Sequence, residues 1–294
     1  MHLNPKDVAL NALAGFGPVR DLLRRARDRR RPVDYDRVVD YSLHRLEVRR
    51  SFIGDERIRG ATLVEIGSGP EVCVALLLLA VGARRLVNIE IDPYRFISDP
   101  ALYRRLVERA RADGLDISWP PAGLLVDETA GVARPDPERI SLYLGRSAAS
   151  IPEPDASADV SFSVAVLEHV GRGVMRSVAE ELFRVTKPGG VGYHRIDLVD
   201  HYYRREDPFR FLRMGPLEYR LMYSNRGSSS NRYRLDDFER IFRAAGFSEV
   251  GFDDVRMHED DERYAQSLAN FHAEFRGRDR EMLRALECML VIKR

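Results

Sequence analysis

Between Ala61 and Asp92 the chain reads A-T-L-V-E-I-G-S-G-P, then a long apolar stretch, then L-V-N-I-E-I-D, an order that leaves little room for anything but a β-α-β unit. The run Thr62 to Ile66 has strand composition and stops at Gly67-Ser68-Gly69-Pro70, where small residues let the backbone bend sharply and approach a ligand closely. Residues Glu71 to Gly82 are almost all apolar, so the helix leaving the turn must be covered on most sides, as happens against a parallel sheet. A second strand, Leu86 to Ile91, then brings Glu90 to its carboxyl end, 21 positions after Gly69. A carboxylate about 20 residues beyond a glycine turn is the spacing that meets the ribose hydroxyls of a nucleoside ligand.

A dinucleotide fingerprint needs a third glycine, G-x-G-x-x-G, and the chain has Val72 in that place, which disfavours a nicotinamide oxidoreductase. With V-E-I-G-S-G-P as a first motif and Glu90 closing the second strand, the segment instead resembles class I S-adenosylmethionine-dependent methyltransferases. The resemblance implies S-adenosylmethionine as cofactor and S-adenosylhomocysteine as product. It implies that Glu65, Gly67, Ser68 and Gly69 surround the methionyl part, and that Glu90 takes the ribose diol.

Further motifs follow in the family's order. Gly145 to Pro152 resembles the third motif, G-D-A-x-x-L-P, but Arg146 stands where an acidic residue commonly contacts the adenine, so Ser147 or a backbone carbonyl is the expected substitute. The strand Asp159 to Val164 alternates apolar residues and runs into V-L-E-H-V; by resemblance Ser163 and Val164 lie along the cofactor and His169 near the substrate mouth. A histidine there can accept a proton from an attacking hydroxyl, or can simply pack the next helix. Lys187-Pro188-Gly189-Gly190 reads as a turn before a fifth strand, Val191 to Ile196, followed by Asp197, Asp200 and His201 on the loop where ligands bind in such sheets. Asp197 or His201 can orient or deprotonate a nucleophile, or brace the loop. His194 and Asp197 point to opposite faces of an extended strand, and no metal site is expected.

The implied fold is a Rossmann-like, doubly wound α/β domain with seven strands in the order 3-2-1-4-5-7-6, the last antiparallel. Residues 1–60 read as an N-terminal helical appendage or lid, and residues 61–294 as the methyltransferase domain, with insertions at 114–138 and 202–234. Within the appendage, Tyr35 to Phe52 carries Val39, Leu43 and Leu46 on one face with charges opposite, and the arginine run Arg24 to Arg31 reads as a solvated helix face. The first insertion holds Trp119-Pro120-Pro121 and two more prolines, too many for a regular helix or a central strand. The second interleaves tyrosines and phenylalanines with arginines, which suits a medium-sized, anionic or glycosylated acceptor, a packed cover, or RNA. A stripe from Leu235 to Ala245 is ended by Gly246, a strand follows at Val250 to Val255, a helical excursion at Glu262 to Leu286, and a last strand at Cys288 to Lys293.

Composition limits the partners. At 294 residues and 44% hydrophobic the chain can bury a full core, and its formal charge of +1 supplies no field favouring nucleic acid or an anionic membrane surface. Two cysteines, Cys73 and Cys288, both in apolar surroundings, fit buried thiols in a reducing compartment. With a polar-interrupted N-terminus and no membrane-length apolar run, a cytoplasmic location is expected. The expected activity is methyl transfer from S-adenosylmethionine to an oxygen or nitrogen of a small molecule, a sugar or secondary metabolite. An RNA methyltransferase and a non-catalytic cofactor-binding protein are the alternatives.

Overall fold

Every residue of β1 (Thr62–Ile66) is buried, as a strand covered by helices on both faces must be. The computed structural model describes residues 4–17, 33–69, 71–93, 96–227 and 229–294. Its remaining strands are β2 (Arg85–Glu90), β3 (Leu124–Asp127), β4 (Val132–Pro135), β5 (Ile140–Leu144), β6 (Ala158–Val164), β7 (Thr186–Asp197), β8 (Glu249–Met257) and β9 (Ala285–Lys293). The helices used below are α1 (Pro5–Gly15), α2 (Tyr35–Ile53), α3 (Cys73–Val81), α4 (Pro100–Ala112), α5 (Arg172–Val185), α6 (Pro216–Tyr223) and α7 (Leu235–Ala245).

Seven strands form one sheet in the order β5-β2-β1-β6-β7-β9-β8. Six point the same way and β9 runs against them, pairing antiparallel with both β7 and β8. With the β3–β4 hairpin set aside, this is the expected 3-2-1-4-5-7-6 order. One face carries α2, α3 and α4 over a core that includes Leu63, Leu76, Leu102 and Phe162; the other carries α5 and α7 over Val64, Leu182, Phe238 and Leu290. The registers Ile66↔Ile89 and Ile66↔Ser163 bring the carboxyl ends of β1, β2 and β6 to the same edge of the sheet. Ligands bind at that edge in open parallel sheets because the connections splay apart there.

The proline-rich insertion folds as a two-stranded hairpin, β3 with β4, beside the main sheet, an arrangement that tolerates proline because few of its backbone donors are needed. K-P-G-G is no separate turn: β7 begins at Thr186 and runs through it, with a register shift opposite Ala158–Val160. The single helical excursion expected over Glu262 to Leu286 is two short helices, Glu262–Ala269 and Arg280–Arg284, and the last strand starts three residues early, at Ala285. Asp279 caps the second of these helices through the backbone N–H groups of Glu281 and Met282, so the break has its own N-cap. Both cysteines are buried and free. The run Arg24 to Arg31 lies outside the described residues, and no described helix is long and apolar enough to cross a membrane.

Candidate functional site

After β1 the chain turns through Gly67 at φ +77° and Gly69 at φ +86°, a left-handed backbone that glycine adopts without strain. Space imposes a second limit at Gly67, where a Cβ would stand 2.4 Å from Val166 Cγ2. The corner is held from β2. Gly67 N donates to Ile89 O at 2.8 Å, and Glu90 Oε2 accepts from Gly69 N at 3.0 Å while its Oε1 accepts from Asp92 N at 2.9 Å. An ionised carboxylate has about four lone-pair directions, so Glu90 keeps two free. Gly67, Ser68, Gly69, Glu90 and Val164 together line one side of a cavity of about 290 Å³, and Tyr41, His44 and Arg45 of α2 line the other.

Beneath this cavity Glu65 is fully buried. Its Oε1 accepts from Arg49 Nε at 3.0 Å, from Arg49 Nη2 and from Arg45 Nη2 at 3.3 Å, while Oε2 has no hydrogen-bond partner among the described residues. Arg45 also donates to Ser68 O at 3.3 Å and pairs with Glu71; burial pushes the Glu71 carboxyl pKa up against the pull of Arg45. Thus α2 does not merely present charges to solvent: Arg49 is as buried as the apolar stripe beside it. The amphipathic pattern hid this, because arginine counts as polar in any periodicity argument. The signal available was a lone acidic residue, Glu65, in a strand that had to be buried.

Two other expected cofactor residues have side chains engaged elsewhere. Ser163 is fully buried, its Oγ 2.9 Å from His194 Nδ1 on the neighbouring strand. Ser147 Oγ accepts from Ala149 N at 3.2 Å. Arg146 is exposed, and its backbone N donates to Glu90 O at 2.9 Å, tying the third motif to the second. Burial lowers the His194 pKa from 6.5 to about 3.

Past Val164, the turn Leu167–His169 gathers a second group with the loop after β7. Glu168 is buried; its Oε1 accepts from Asp197 N at 3.3 Å and its Oε2 has no hydrogen-bond partner among the described residues. Burial is the main cause of a Glu168 pKa raised to about 8. His169 Nδ1 lies 2.9 Å from Ser229 O, and its ring stands 4.9 Å from that of His201. Desolvation is the largest influence on His169 and holds its pKa below the ordinary value. His201 Nε2 is 3.5 Å from Asp197 Oδ2, which Arg204 also contacts. For Asp197 burial acts upward, but hydrogen bonds from His201 and Arg204 outweigh it and the pKa is lowered. So the structure brings His169, Asp197 and His201 together, with Glu168 among them. Asp200 lies apart, its Oδ1 accepting from Tyr202 N at 2.9 Å, and burial raises its pKa to about 6.

His169 lines a further cavity of about 290 Å³ with Arg172, Tyr219, Ser229, Asn231 and Arg232. Asn231 clamps the turn, donating from Nδ2 to Leu167 O at 2.8 Å and Val170 O at 3.0 Å. Residues 64–193 match the family model of the methyltransferase domain. Over that span the chain carries a methyltransferase domain. The matched span includes the glycine corner, Glu90, the third motif and V-L-E-H-V. No curated protein matches the chain. Among solved structures the methyltransferase is similar to an S-adenosylmethionine-dependent methyltransferase from Mesorhizobium loti, at 15% identity and TM-score 0.41 over 81% of this chain and 93% of that one. It is also similar to an arsenic(III) S-adenosylmethionine methyltransferase from Chlamydomonas reinhardtii, at 15% identity and TM-score 0.43 over 80% of this chain and 64% of that one. These TM-scores lend no weight of their own; the family match and the ordered motifs carry the assignment.

The insertion packs against α1. Asp7, buried in α1, pairs with Arg226 at 3.0 Å and Arg210 at 3.3 Å and accepts from Tyr203 Oη at 2.7 Å. Arg226 and Arg210 stack over Tyr202 and Tyr203 at 3.5 and 3.6 Å from the ring centroids. The aromatic and arginine side chains of the insertion therefore satisfy one another to a large extent.

Proposed function

We propose that this methyltransferase acts on an oxygen or nitrogen of a small molecule, a sugar or secondary metabolite, bound in the His169-lined cavity. The observation carrying the reading is the sequence of cavities along one chain segment: Val164 borders the cavity of the glycine corner, and five residues later His169 borders the next. When bound, S-adenosylmethionine supplies a methyl group on a sulfonium, which the acceptor attacks in line while S-adenosylhomocysteine leaves.

The residues present fit that cofactor. Glu90 has two free lone-pair directions for a ribose diol. Glu65 Oε2 is a buried acceptor lacking a donor among the described residues, which an ammonium such as the methionyl one supplies. Gly67, Ser68 and Gly69 let the methionyl part approach the backbone. Ser147 is assigned to the adenine end, where its Oγ, accepting from Ala149 N, keeps its own O–H to donate, and Ser163, its Oγ held against His194, contributes backbone. Residues 1–60 serve as a cover and residues 61–294 as the catalytic unit.

Because the sulfonium is already activated, alignment and exclusion of water can lower the barrier by up to about 7 to 11 kcal/mol. An amine acceptor needs only a free lone pair. The proton of a hydroxyl acceptor has to be neutralised at the His169 end of the site, where His169, Asp197 and His201 are the groups at hand. RNA is the weaker reading, because Arg210, Arg226 and Arg232 are occupied by Asp7, Glu274 and tyrosine rings. The two free buried thiols suit the cytoplasm. The test is calorimetry with S-adenosylhomocysteine, then a screen of hydroxylated and amino metabolites with methyl-labelled cofactor. Binding with labelled product supports the reading, and absence of cofactor binding overturns it.

A further inference from the structure

We propose that Glu168, His169 and His201 form a binding site for one divalent transition-metal ion. Among the described residues this trio is the one group of histidine, cysteine or acidic side chains close enough to share an ion: one ligand atom from each can be chosen so that all lie within 4.8 Å of one another. One buried atom of the trio, Glu168 Oε2, has no hydrogen-bond partner among the described residues. Glu168 is only 1% exposed, and a polar group buried without a partner destabilises the fold. Such a group calls for a specific partner.

His169 is prepared for ligation by its other nitrogen. With Nδ1 donating to the Ser229 carbonyl at 2.9 Å, the lone pair sits on Nε2, the tautomer that metal-binding histidines acquire from a carbonyl behind the ring. Asp197, which Arg204 also contacts, faces His201 Nε2 at 3.5 Å, so the nitrogen His201 offers an ion is Nδ1. Metal–ligand bonds are about 2.0 to 2.2 Å long, so the trio must draw in slightly. Two imidazoles and one carboxylate suit zinc, cobalt or ferrous iron better than magnesium, which prefers oxygen ligands and keeps its waters.

Since His169 also borders the acceptor cavity, the open coordination positions face the place assigned to the acceptor. An ion there would bind an acceptor oxygen and lower its pKa, and the imidazole lone pairs would go to the ion. That role rests on the proposed function above; the binding of the ion does not.

The test is titration of the chelator-stripped full-length protein with Co²⁺, followed by visible absorption and equilibrium dialysis, beside calorimetry with S-adenosylhomocysteine. The expected result is one Co²⁺ per chain, with Glu168→Gln and His201→Gln each weakening it about tenfold or more while cofactor binding persists. No Co²⁺ uptake by the wild-type protein, or uptake unchanged in both variants, overturns the site. Should a variant lose cofactor binding and so fail as a folded control, His169→Gln gives the same readout from an exposed position. Co²⁺ uptake without cofactor binding by the wild type would leave the site standing and refute the functional reading instead.

Discussion

Replacing Glu90 with glutamine tests the centre of the cofactor assignment. The carboxylate already receives the backbone N–H groups of Gly69 and Asp92, at 3.0 and 2.9 Å, so the change acts on both the corner and the ligand. A hydrogen bond to a charged acceptor contributes about 1.5 to 3 kcal/mol and a neutral one about half that. Glutamine keeps one acceptor oxygen and turns the other into a donor facing an N–H group. The loss of about 1.5 to 3 kcal/mol on the ribose side corresponds to roughly ten- to hundredfold weaker binding of S-adenosylhomocysteine. Calorimetry measures it, and a 2′,3′-dideoxy analogue separates the two effects: without the diol, only damage to the corner remains. The wild-type to Glu90→Gln ratio should therefore shrink towards one for the dideoxy ligand. An equal loss for both ligands refutes the ribose contact, and an unchanged affinity for the natural ligand refutes the site.

Three other perturbations follow from the same geometry. Arg49→Met leaves Glu65 buried beside a single, longer-range partner, and should cost about 3 to 5 kcal/mol in urea unfolding, with Glu65→Gln added to the same chain recovering much of it; a loss near zero means the pair is not sealed from water. Gly67→Ala combines left-handed strain with the 2.4 Å approach to Val166 and should destabilise by about 2 to 5 kcal/mol. Adding Val166→Ala relieves only the contact, and full recovery would show that φ carries no strain. His194 is held neutral with a pKa of about 3 against an ordinary 6.5, so below about 6.5 the unfolded chain takes up a proton that the folded chain refuses. The stability present above that pH is lost progressively as pH falls towards 3. His194→Gln should flatten the decline in urea midpoint between about pH 7 and about pH 5, and an unaltered slope would locate the acid sensitivity elsewhere.

The sheet was legible because its information is local and repetitive. Thr62–Ile66 and Arg85–Glu90 announce themselves by apolar runs bounded by glycine and acid, and the corner between them by residues whose backbone freedom is visible in their names. Side-chain partnerships were harder to read. Ser163 sits at the expected place on β6, yet which way its hydroxyl turns depends on His194, 31 residues later on the next strand. Arg49 looks like a surface charge until the strand it covers is known to carry Glu65. Glu168 was passed over for the histidine beside it, and its isolation becomes apparent only when the loop holding Asp197 and His201 folds over it.

The packing of α1 on the insertion joins two stretches some two hundred residues apart. Asn11 reaches from α1 to the carbonyls of Arg220 and Leu221 and accepts from Asn225 N at 2.8 Å, while Asp7 neutralises Arg210 and Arg226. Any lineage or engineer who exchanges residues 202–234 alone to change the substrate range strands an acid in α1 and removes the seat on which that helix rests. The two segments are a matched pair, and grafting experiments have to move them together.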